Sequence, residues 1–162
     1  MDEVDRILAA WRAEAPELDT EPLEILSRVT RLARHLDLAR RTSFAAHGLE
    51  VWEFDVLAAL RREGPPYELS PGELIRHTLS TSGAMTNRID RLQSRGLVTR
   101  ERNPLDRRGV RVRLTPAGRE LVGRALADLL AFEREILRRV DTEARRGTAR
   151  TLRSLLAPFE AG

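Results

Sequence analysis

Residues 79–114 read LSTSGAMTNRIDRLQSRGLVTRERNPLDRRGVRVRL, and they change hydrophobic period halfway along. In the first half Met85, Ile89 and Leu92 recur at i, i+4 and i+7, one face of an α-helix. Ser80 or Thr81 is placed to cap that helix through a side-chain oxygen, and Gly96 after Arg95 is placed to end it. In the second half Leu97-Val98-Thr99-Arg100 rises into a strand. Val110, Val112 and Leu114 then alternate with Arg111 and Arg113, the period of a strand with one buried face. Asn103 to Gly109 between them is rich in turn formers. A short helix followed directly by a basic hairpin is the feature the rest of the chain must accommodate.

Ser82, Thr86, Asn87 and Arg91 lie off the apolar stripe. Short polar groups and one long cation are the types that read base edges and phosphates in the major groove. From Arg76 to Arg113 there are ten arginines against Asp90, Glu101 and Asp106, a local charge of +7. The whole chain carries +3, so the remainder carries −4. Such asymmetry marks a face for a polyanion. Helix and hairpin together outline a winged helix-turn-helix, a DNA-binding module.

The segment SGAMTNRIDRLQSRGLVTRERNPLDRRGVRVRLTPAG resembles the MarR family of dimeric bacterial transcription regulators, over roughly residues 30–157. Asp106 and Arg108, running into Leu114-Thr115-Pro116-Ala117-Gly118, match that family's wing signature. The resemblance implies a homodimer that binds double-stranded DNA and whose affinity a small molecule lowers. In this reading Arg107 and Arg108 reach toward the minor groove and Asp106 orients the wing.

The flanks suit such a module. Val4, Ile7, Leu8 and Trp11 have helical spacing within residues 3–13, and Pro16 and Pro22 bracket a linker. A long amphipathic helix is expected from about residue 22 to 46, with Thr20 as its cap and Gly48 after its end. A helix over 50–62 stops at Gly64-Pro65-Pro66. Ser70-Pro71-Gly72-Glu73 has capping-box spacing and opens a short helix to about His77, the first of the helix-turn-helix pair. Thr115-Pro116 opens a long helix to about Val140, and a last helix spans about 142–157.

The fold class is thus mainly α with a small β-wing, a winged helix-turn-helix set between N- and C-terminal dimerisation helices. The expected divisions are 1–21 (added helix and linker), 22–48 (dimerisation helix), 49–115 (DNA-binding lobe) and 116–162 (C-terminal dimerisation helices). Apolar-faced helices flanking so small a module favour a dimer over a monomeric bundle, since one subunit offers too little core to bury them.

Two charges stand where the pattern asks for apolar residues. Asp55 has Val51, Trp52, Ala58 and Ala59 as helical neighbours, and Arg88 interrupts the stripe of Met85, Ile89 and Leu92. Arg100 opens the hairpin as a third candidate. One account is structural, an Asp–Arg pair that fixes helix packing. The other comes from resemblance. Trp11 on an added helix, WEFDVLAALRREGPPYELSPGEL and TNRIDRL are similar to the urate-responsive, PecS-like branch of the MarR family. That branch implies a ligand site on Trp11, Asp55, Arg88 and Arg100. There Trp stacks on urate or another aromatic anion, the arginines neutralise it and Asp55 senses its charge.

Other classes find little support. The chain has no cysteine, and His35, His47 and His77 show no ligand spacing, so no metal or cofactor is expected. No nucleophile elbow, P-loop or dinucleotide fingerprint is present, and an enzyme is not expected. No apolar run approaches a membrane span and no signal peptide opens the chain, so a cytoplasmic protein is expected. The competing reading from a different class is a winged-helix protein-interaction module that does not read DNA specifically. Binding that survives competitor DNA and leaves a two-fold footprint separates the two.

Overall fold

Seven helices and three short strands follow one another in the computed structural model, which describes residues 1–102 and 109–160. The chain forms two compact units, Met1–Val51 and Trp52–Gly162.

The first unit holds α1 (Glu3–Glu14) and α2 (Glu21–Ala45). Asp2 caps α1 in a reciprocal box, accepting from the Asp5 N–H at 3.0 Å while its own N–H donates to the Asp5 carboxylate at 2.7 Å. Val4 and Leu8, one turn apart, are buried. Arg28 of α2 reaches back to Asp2 at 2.9 Å and Asp5 at 2.5 Å. These partly exposed pairs orient α1 on α2 more than they stabilise it. The start of α2 departs from expectation. Thr20 makes no side-chain cap bond, and Asp19 instead accepts from the Glu21 N–H at 3.0 Å. Along α2 only Phe44 is buried, while Leu26, Leu32 and Leu38 stand half-exposed or more.

In the second unit α3 (Val51–Arg62) supplies much of the core, with Val56, Leu57 and Leu60 fully buried. Each such side chain contributes about 1.5–3 kcal/mol on leaving water. The Ser70–Glu73 capping box forms as its spacing predicts, opening α4 (Pro71–Thr78). Leu79, with φ of 48°, turns the chain into α5 (Ser82–Ser94), which Thr81 caps through the Ala84 N–H. Gly96, at φ of 68°, ends α5 in the left-handed conformation that glycine adopts without strain.

The hairpin is β2 (Val98–Arg102) paired antiparallel with β3 (Val110–Leu114), Val98 opposite Leu114 and Arg102 opposite Val110. Val112 and Leu114 point inward, as the alternation requires. A third strand was not legible in the sequence. β1 (Glu68–Leu69) pairs the other edge of β3, giving the order β1-β3-β2. Two residues are too short a run to show a period.

After the sheet come α6 (Pro116–Leu137) and α7 (Thr142–Glu160). Val122, Ala125 and Leu129 of α6 are buried at i, i+3 and i+7, whereas α7 buries no residue. α6 stops a turn short of Val140 and α7 runs three residues past 157. Among the described residues, no helix is long and apolar enough to cross a membrane.

A candidate nucleic-acid interface

α4 and α5 pack together, α5 also meets β2 and α4 meets β3, so the helix-turn-helix and the sheet are one structure. Met85, Ile89 and Leu92 face inward and are at most 1% exposed. That burial fixes the rotation of α5 about its axis. Ser82, Thr86, Asn87 and Arg91 are accordingly all exposed. Ser82, Thr86 and Asn87 are short, and the Thr86 hydroxyl donates to the Ser82 carbonyl. All four side chains thus stand open to solvent.

Asp106, Arg107 and Arg108 lie outside the described residues. The base of the hairpin is described, and ion pairs hold it. Arg111 reaches Glu73 at 3.2 Å, tying β3 to α4. Hydrogen bonds from Ser70, first from its N–H and then from its hydroxyl, hold the Glu73 carboxyl below its usual range, and Arg111 and Arg76 add to this. A depressed carboxylate stabilises the fold above its unfolded pKa, and the contribution fades as pH falls through the folded one. Arg113 bridges Glu68 at 2.8 Å and Glu101 at 3.7 Å. Arg100 reaches Asp90 of α5 at 2.7 Å. Counted from Glu68, the window gains Glu68 and Glu73, and +7 becomes +5. Part of the arginine excess therefore holds the wing's base in place.

The proposed ligand residues are distributed as follows. Trp11 lies on α1 and is 47% exposed. Asp55 lies on α3 and is half-buried. Arg88, also half-buried, donates to the Ser80 hydroxyl at 2.8 Å and sits over the Trp52 ring at 5.5 Å. It leans inward, as its place in the stripe suggests. Arg100 is exposed and engaged with Asp90.

Three residues in this region escaped the sequence reading. Arg91 lies over the Trp52 ring at 4.8 Å, closer than Arg88. Beside Trp52, Glu53 is the deeply buried acid of α3, 2% exposed, and Arg95 at the end of α5 pairs with it at 2.6 Å. The signal was available. Leu49, Val56 and Leu57 are three of Glu53's four helical neighbours, the same test that singled out Asp55.

Among the described residues, no group of three or more His, Asp or Glu is placed to hold a metal ion.

An exposed polar helix face backed by an apolar stripe, inside a helix-turn-helix with a three-stranded wing, defines a winged-helix nucleic-acid-binding protein. A MarR family model matches residues 47–109. The chain is 36% identical to the HTH-type transcriptional regulator PecS of Dickeya dadantii over 83% of its own length and 81% of that protein. It is 41% identical to the multiple antibiotic resistance protein MarR of Salmonella typhimurium over 41% of its length and 44% of that protein. Among solved structures, a MarR family protein from Bacillus stearothermophilus superposes with a TM-score of 0.74 at 23% identity, covering 88% of this chain and 98% of that one. The transcriptional regulator BldR from Sulfolobus solfataricus gives 0.71 at 25% identity, covering 87% and 99%. The chain belongs to the MarR family and is a PecS-like, DNA-binding transcriptional regulator.

Proposed function

We propose that the chain acts as a homodimeric repressor that binds a pseudo-palindromic operator and is released by a small planar anion, urate first. The observation that carries the DNA reading is the exposed row Ser82, Thr86, Asn87 and Arg91 on a helix whose opposite face is sealed in the core. In this proposal Arg107 and Arg108 extend the contact into the minor groove and Asp106 orients them. Dimerisation is supported by apolar side chains that one chain leaves in water, among them Leu26 on α2, Leu126 on α6 and Leu152, Leu155 and Leu156 on α7. Helices in 22–48 and 116–162 would then form the platform and 49–115 the reading lobe.

The test is a footprint on DNA flanking the gene, with sedimentation of the free protein. A dimer should protect two half-sites about 10 bp apart, centre to centre. Its affinity should fall steeply with added salt, as several phosphate contacts per subunit require. A protein that sediments as a monomer, protects one half-site or binds independently of salt is an interaction module instead.

The effector reading rests on the likeness to PecS and on charges set among apolar residues. Trp11 would stack on the ligand, Arg88 and Arg100 would neutralise it and Asp55 would sense its charge. Urate should displace the wild-type protein from its operator. Trp11→Ala should blunt that release by roughly tenfold in urate concentration, on the scale of one aromatic stacking contact, and leave DNA binding intact. Equal release of both proteins by urate removes Trp11 from the site. No urate binding in a titration removes this ligand.

A further inference from the structure

We propose that Trp52 and Glu53, consecutive residues at the start of α3, position the arginine row of the recognition helix, and that Trp52 thereby sets the DNA contact of Arg91. The proposal rests on the DNA-binding reading of α5 and assigns residues that reading leaves out.

Arg88, Arg91 and Arg95 are spaced by three and four residues, so they form one row along α5. The row runs beside the buried stripe of Met85, Ile89 and Leu92. All three arginines meet two residues of one neighbouring helix. The guanidinium carbons of Arg91 and Arg88 lie 4.8 and 5.5 Å from the Trp52 ring centre, and Arg95 is 2.6 Å from the Glu53 carboxylate. The apolar stripe already fixes the rotation of α5. The arginine row adds control over where three long cations end.

That control matters because arginine loses much rotamer freedom when it grips a phosphate. A guanidinium held against an indole has given up part of that freedom before DNA arrives, which is preorganisation. A guanidinium that meets a ring with its face keeps the N–H fork in its plane open for a phosphate. Arg91 also stands one turn beyond Asn87, so Trp52 holds it alongside the residues that face the groove.

Operator binding of the full chain, measured across a range of salt, tests the proposal. Trp52→Met keeps apolar bulk and removes the ring. It should weaken binding roughly tenfold, and the slope of log K against log salt should fall by about one per subunit, the signature of one lost phosphate contact. Trp52→Phe should restore most of both. In the Arg91→Ala background, Trp52→Met should cost nothing further. Purely structural packing predicts the opposite pattern: an unchanged salt slope, no rescue by Phe and a loss that multiplies with that of Arg91→Ala. Any of these overturns the proposal. One readout leaves Trp52 in place. The chain has two tryptophans, so Trp52 alone reports in Trp11→Phe protein. Arg91→Ala should shift its emission, and an unchanged spectrum would also sink the idea.

Discussion

Gly118→Ala is expected to destabilise the fold by about 2 kcal/mol, although alanine is the better helix former. A Cβ at 118 would stand 2.2 Å from the Leu97 carbonyl oxygen and 2.8 Å from a Leu114 methyl. The Leu97 carbonyl cannot swing aside. It accepts from the Thr115 N–H and from the Thr115 hydroxyl, each at 3.1 Å. Relief therefore requires α6 to lift off the base of the hairpin, at Leu97 and Leu114. Overpacking of this kind costs about 1–3 kcal/mol and sometimes more, and the gain in helix propensity offsets about 1 kcal/mol. Urea denaturation with an unchanged slope reads the effect. A Gly118→Ala protein as stable as wild type would show that α6 can shift freely at its root.

Arg95→Ala is expected to cost about 3 kcal/mol, the low end for breaking a buried pair, because Arg95 itself is part-exposed. The variant removes the guanidinium from a carboxylate that is 2% exposed. Joint replacement of Glu53 and Arg95 by leucine should recover most of the loss, since no buried charge then loses its ion pair. Melting of the two variants decides the matter. A double variant no more stable than Arg95→Ala would mean that the pair specifies shape that apolar bulk cannot reproduce.

Long elements were legible because their periods repeat. The stripe of Met85, Ile89 and Leu92, the alternation of Val110, Val112 and Leu114, and the Ser70–Glu73 box each state a geometry within a few residues. β1 was illegible for the converse reason, two residues whose strand character exists only through β3. The exposed face of α5 could be read because burial of one side dictates the other. The ion pairs could not. Arg111 with Glu73 and Arg113 with Glu68 join residues 38 and 45 positions apart, and nothing local couples them. Trp52 passed as an ordinary apolar helix residue because its partners come from a helix more than thirty positions later. What the sequence does express, in Asp55 and Glu53 alike, is a charge among apolar neighbours. It does not say which of the two lies deeper.

Thr115 joins the end of the recognition helix to the start of α6. Its hydroxyl donates to the carbonyls of Gly96 and Leu97 and accepts the Gly118 N–H at 3.0 Å. That bonding makes the junction a rigid elbow with a long arm. The 22 residues of α6 extend about 33 Å at 1.5 Å per residue. Tilting such an arm by about 6° about one end displaces the other end by roughly 3.4 Å, one base-pair step along DNA. In a dimer joined through the ends of these arms, the same ratio runs in reverse. A change of a few degrees where the subunits meet would slide each reading helix out of register with its half-site by a whole base pair.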